Sequence, residues 1–112
     1  VSVHGADMIN GLTMADGASV IEILPVTRVG CPCGMYQALF TASSDLRVHY
    51  YSLGSTNLSN ARPARSGWRF KAATHSYNDD LHVSWSALRR VLSEAKRIGG
   101  DHQRYSEWRS TH

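Results

Sequence analysis

The stretch from Val1 to Pro25 restricts the fold of this chain more than any other. Val1-Ser2-Val3 reads as a short apolar strand and His4-Gly5-Ala6 as a turn. Asp7 to Met14 reads as a helix, with Met8, Leu12 and Met14 among its apolar contacts. Asp16-Gly17 ends that helix, because glycine takes the left-handed conformation favoured beyond a helix C-terminus. Ser19-Val20-Ile21-Glu22-Ile23-Leu24 is nearly all apolar and rich in β-branched side chains, up to a stop at Pro25. Such a run suits a strand covered on both faces, as in a parallel sheet. Strand, turn, helix and strand together make a βαβ unit.

The alternation continues downstream. Val26–Gly34 is a loop punctuated by glycine and proline. Met35 to Ala42 has the spacing of a helix with Met35, Tyr36, Leu39 and Phe40 on one face, and Val48–Leu53 reads as a third strand. The β-α-β-α-β order predicts an α/β fold, a Rossmann-like parallel sheet with flanking helices. From Gly54 to about Asn78 Ser, Asn, Gly, Pro and Arg dominate, which predicts a long surface loop with a short strand at Trp68–Lys71. Ser84 is placed to cap a helix from Trp85 to Ile98, with Trp85, Leu88, Val91, Leu92, Ala95 and Ile98 as its apolar stripe. Gly99-Gly100 ends it. Residues 1–100 therefore form the domain, and 101–112 a polar tail in which Tyr105 and Trp108 are spaced to touch one surface.

With 112 residues the chain holds one domain and one modest core. Charged residues are 19% and hydrophobic residues 42%, which sets it apart from highly charged disordered chains. No apolar run approaches the ~20 residues of a membrane-spanning helix. The chain has no basic-then-apolar leader and no Met at position 1, and it opens inside a strand. The expectation is a segment of a longer polypeptide. The net charge of +3 is concentrated in the C-terminal half, where it favours anionic ligands or is simply a solvated face. No nucleic-acid recognition motif accompanies it, so no nucleic-acid partner is expected; a basic nucleic-acid-binding domain is the rival whose affinity falls steeply with salt. Cys31-Pro32-Cys33 lacks the second cysteine pair of a zinc site. The two are loop thiols, or else one bonds a cysteine elsewhere in the parent, which implies a secretory compartment.

Two places carry chemistry. Gly5 and Ala6 leave the backbone open where a strand passes into a helix, and the first amides of that helix suit a phosphate. His4 stands beside them as a donor to phosphate oxygen, or else as a satisfied histidine of an inert turn, and Asn10 lies on the first turns, facing the ligand or holding a neighbouring loop. Glu22 is a carboxylate in an apolar strand, so it needs a partner. That partner is a ribose diol at the ligand face of the sheet, or a cation such as Arg28. The six histidines and the Asp79-Asp80 pair form no metal-ligand pattern, and no nucleophile arrangement assembles, so the catalytic residue is unknown.

His4-Gly5-Ala6-Asp7-Met8-Ile9-Asn10, Met14, Gly17-Ala18 and Val20-Ile21-Glu22-Ile23-Leu24-Pro25 resemble, without a gap, the signature of glycosyltransferase family 61. Tyr36 with Leu39, and Val48-His49-Tyr50-Tyr51, are similar to the family's following helix and strand. The close match covers about a quarter of the chain. It departs at Asp7, where the pattern has glycine, and at Ala15-Asp16, where it has two prolines. The resemblance implies the C-terminal half of a GT-B fold, binding a nucleotide diphosphate sugar, a UDP-sugar above all. It implies inverting transfer of N-acetylglucosamine or a pentose to a hydroxyl of a protein or glycan acceptor, without a metal or other cofactor. His4, Gly5, Ala6 and Asn10 then form the phosphate-facing turn and Glu22 the ribose contact. The missing N-terminal half is the implied partner and carries the base, and this segment alone is inactive. The compartment is the Golgi or endoplasmic reticulum lumen in a eukaryote and the cytoplasm in a bacterium. The alternative is a non-catalytic nucleotide-binding or interaction module of the same fold.

Overall fold

The computed structural model describes residues 1–26, 34–42, 45–55, 57–62 and 80–112. Its centre is a three-stranded parallel sheet, β1 (Ser2–Val3), β2 (Ser19–Ile23) and β3 (His49–Leu53), in that spatial order. Ser2 pairs with Glu22, and Val20 with Tyr50. A 3-10 helix, Ala6–Thr13, joins β1 to β2, and α1 (Gly34–Ala42) lies between β2 and β3. After β3 come α2 (Trp85–Ile98) and α3 (His102–Ser110).

Strand alternation sends successive side chains to opposite faces, and both faces are buried. Met8, Val20, Tyr36, Phe40, Val48 and Tyr50 form the core on the side of the 3-10 helix and α1. Ile21, Tyr51, Ala95, Ile98 and Tyr105 form the core on the side of α2 and α3. The result is a helix–sheet–helix sandwich of the α/β class, and the doubly covered β2 is as its composition predicts.

The first helix is tighter than expected. Met8 N–H bonds the Gly5 carbonyl at 3.0 Å and Met14 N–H the Gly11 carbonyl at 3.2 Å, both three residues back. Three residues per turn put Met8 and Gly11 on the inner face, and these two are buried. A Cβ on Gly11 would lie 2.6 Å from the Phe40 ring, so glycine is what lets this helix sit so low on the sheet. Leu12 and Met14, expected inside, are 37% and 42% exposed: the 3-10 winding turns Leu12 outward, and Met14 lies past the helix end in extended backbone.

Other exposures also correct the sequence reading. In α1, Tyr36 and Phe40 are buried, whereas Met35 and Leu39 are exposed. Trp85 is 65% exposed, so the stripe of α2 begins one turn later. Ser84 is the N-cap residue, but its hydroxyl bonds that of Ser86 and no main-chain amide.

The polar tail is a helix. Gly99, at φ 60°, ends α2, and the Asp101 carboxylate caps α3 by accepting from Arg104 N–H at 3.1 Å. Tyr105 is buried on the sheet, and its hydroxyl accepts from the Tyr50 N–H and donates to the Tyr50 carbonyl, each at 2.8 Å. Between β3 and α2, Ala61–Arg62 (β4) pairs antiparallel with Asp80–Leu81 (β5), a ladder too short to leave a sequence signal. The expected strand at Trp68–Lys71, and Arg28, Cys31 and Cys33, lie outside the described residues. Among the described residues no helix is long and apolar enough to cross a membrane.

Candidate functional site

His4 follows β1 directly and continues its ladder, its N–H bonding the Ile23 carbonyl at 2.8 Å. That register carries the imidazole to Glu22, and Nδ1 hydrogen-bonds the carboxylate Oε1. The other oxygen, Oε2, accepts from the Tyr50 hydroxyl. Tyr50 is on β3, two residues before Ser52, the register partner of Glu22. The result is a relay across all three strands, Tyr50 to Glu22 to His4.

Burial explains its order. Glu22 has 0% of its side chain exposed and His4 14%. A buried carboxylate is tolerated only when its acceptors are used, and here one hydroxyl and one ring N–H use them. Burial first, and then the hydrogen bond and charge of Glu22, push the Tyr50 phenol above its ordinary value of 10. Tyr50 therefore stays protonated and acts as the donor. The carboxylate in turn fixes the imidazole tautomer, with the proton on Nδ1 and the lone pair on Nε2. The ring is held from the side as well, edge-on to Tyr36 with centroids 5.3 Å apart.

The structure thus joins two of the five sequence-derived site residues, and it corrects the role of one. Glu22 faces inward with both oxygens engaged by the chain, so it orients His4 and does not meet a ribose at the surface. The Arg28 considered from the sequence lies outside the described residues. Gly5 and Ala6 adjoin His4. Gly5 is extended, at φ 163°, and a Cβ there would meet only the Val3 carbonyl, at 3.9 Å, so the space outside it is open. The N–H groups of Ala6 and Asp7 precede the first intrahelical bond, made by Met8, and face no acceptor among the described residues. Asn10 is exposed and shares a face of the 3-10 helix with Asp7 and Thr13, away from Ala6. Asp7, the departure from the family pattern, is exposed in the first turn and caps nothing, since Gly5 is the N-cap.

Tyr50 was missed by sequence reasoning. Its signal was a polar-tipped residue in a strand buried on both faces, next to another strand with a lone carboxylate; each was the other's missing partner. At the C-terminal ends of β2 and β3 lies a cavity of about 120 Å³, reached from His4 through Ile23, whose carbonyl accepts the His4 N–H. Ile23, Leu24, Val26 and Leu53 give it apolar walls, and Ser55 and Ser84 polar ones. This is the end of a parallel sheet at which α/β proteins hold ligands.

A second titratable cluster lies on the opposite face. His49 is fully buried, and its Nε2 is 2.8 Å from Nδ1 of His102 on α3. Tyr105 stacks on it with ring centroids 4.3 Å apart. Among the described residues no third ligand-type group joins the pair. Burial, and then the neighbouring His102, lower the His49 pKa below 6.5, while the Gly99 carbonyl and Asp101 act in the opposite sense. A histidine depressed on folding binds its proton more readily unfolded, so stability rises with pH across that interval. The contribution is complete above about pH 6.5 and is lost as the pH falls through the folded value. Urea denaturation should therefore give a midpoint that drops on acidification, and a His49→Gln variant should flatten that dependence. An equal acid sensitivity in the variant would assign the effect elsewhere.

Comparison with family models, with curated proteins and with solved structures finds no match to this chain.

Proposed function

We propose that this chain is the donor-binding part of an inverting glycosyltransferase, in the C-terminal half of a GT-B architecture, and that its ligand is a nucleotide diphosphate sugar. The observation that carries the reading is the relay: a buried carboxylate–tyrosine pair fixing one histidine at the ligand end of a parallel sheet, beside unbonded main-chain amides. On this reading the diphosphate lies over Gly5, with the Ala6 and Asp7 amides donating to its oxygens. The nucleoside occupies the cavity between Ile23, Leu24 and Leu53. His4, when doubly protonated, pairs with Glu22 through Nδ1 and presents Nε2–H to the leaving diphosphate. Transfer itself needs a base to deprotonate the acceptor hydroxyl, and that base belongs to the N-terminal half completing the enzyme.

Titrating the isotope-labelled chain with UDP tests this. The amides of Gly5, Ala6 and Asp7 should shift, uridine should leave them in place, and His4→Ala should weaken UDP binding about tenfold. A folded chain whose amides ignore UDP would falsify the nucleotide reading. Asp7 gives the non-catalytic alternative its one support, since a carboxylate in that turn opposes a diphosphate. Binding of UDP-sugars by the intact parent with no transfer or hydrolysis would establish that alternative instead.

A further inference from the structure

In the parallel ladder alternate residues address alternate neighbours. His49 N–H bonds Ala18 on the β2 side, and the Leu53 carbonyl accepts from Leu24 on the same side. Tyr50 and Ser52 therefore turn their main-chain groups to the outer edge of β3. The Tyr105 hydroxyl satisfies both groups of Tyr50. Those of Ser52 have no partner among the described residues, and Ser52 is exposed. This edge opens on a groove of about 530 Å³ whose walls include Gln37 of α1, Arg90 of α2, and Trp108 and Arg109 of α3. Arg90 and Arg109 are exposed and have no carboxylate within ion-pair distance among the described residues. The groove's own carboxylate, Glu94, is already held by Arg97 at 2.7 Å.

We propose that the open edge of β3 at Ser52 binds an extended acidic peptide segment, which adds a strand beside Ser52 and places carboxylates on Arg90 and Arg109. Main-chain pairing supplies the direction and the groove the side-chain selection, as in strand addition generally. Tyr105 sets the register, because its hydroxyl already fills the Tyr50 position and the added strand runs from Ser52 toward Gly54. A second copy of this chain is the poorer occupant. Two-fold pairing of β3 with itself would set one pair of unpaired arginines against the other.

The test uses the full chain and a short blocked peptide of alternating aspartate and valine. Binding should shift the Ser52 amide, slow its hydrogen exchange, and weaken with added salt. Arg90→Glu and Arg109→Glu, both at exposed helix positions, should each reduce affinity at least about fivefold, and a lysine–valine peptide should prefer the double variant. The same aspartate–valine peptide N-methylated along one edge keeps its charge but should bind at least about tenfold more weakly. Equal affinity for the methylated peptide, or Ser52 exchange unchanged at saturation, overturns the proposal in favour of simple charge attraction. Self-association through β3, detected by sedimentation and lost in Ser52→Pro, overturns it in favour of a second copy.

Discussion

Glu22→Ala is expected to remove about 3–5 kcal/mol of stability, a large part of what a domain of this size has. The side chain is fully buried, so its loss leaves a void between β2 and its neighbours. It also strands the Tyr50 hydroxyl, whose donor then lies in the core with no acceptor, at a cost of about 1–3 kcal/mol. Glu22→Gln separates structure from chemistry. The amide oxygen still accepts from Tyr50, while its NH₂ meets His4 Nδ1 and forces the proton of the imidazole onto Nε2. That variant should fold with a smaller loss, yet show the opposite His4 tautomer in nitrogen chemical shifts. Chemical denaturation of both variants decides the matter: a loss under about 1 kcal/mol in Glu22→Ala means that the relay contributes little.

Gly17→Ala should be nearly as damaging, and for a backbone reason. Gly17 is at φ 78°, a conformation that costs an L side chain about 1–2 kcal/mol. Its new Cβ would also stand 2.8 Å from Gly100 Cα and 2.9 Å from the Gly100 carbonyl oxygen. Neither neighbour is a flexible side chain, and Gly17 is tied in place by its N–H bond to the Arg47 carbonyl, at 2.8 Å. Strain and overpacking together give an expected loss of about 2–4 kcal/mol. Relief comes by pushing the α2–α3 turn outward, which loosens Tyr105 from Tyr50. The reciprocal change is mild: a Cβ on Gly100 would find Gly17 only at 3.8 Å. Denaturation midpoints should thus fall steeply for Gly17→Ala and little for Gly100→Ala, and equal falls would refute the contact.

The layered α/β plan was legible in the sequence because strands and helices alternate and β2 is nearly all apolar, which only a doubly covered sheet accommodates. Glu22 was legible as an anomaly for the same reason. Its partners were not, since they depend on register: His4 reaches it because Ser2 lies opposite it, and Tyr50 because β3 is on the far side. The first helix misled in its winding. Three- and four-residue spacings look alike over so short a stretch, and Gly11 against Phe40 decided between them. Met35, Leu39 and Trp85 misled because hydrophobicity marks residues that are able to be buried and says nothing of what covers them. The tail misled in the opposite sense, its polar composition concealing a capped helix with one buried tyrosine.

That helix has a bearing on how the molecule reports its own condition. Residues 102–110 bury little besides Tyr105, and a nine-residue polar peptide does not hold a helix alone in water. Its order is lent to it by β3, through one hydroxyl and a stack of rings. The Trp108 indole, 4.9 Å from the Tyr51 ring, therefore senses a strand more than fifty residues earlier. Whatever frays the sheet will be heard first at the C-terminus, as a change in the light from that tryptophan.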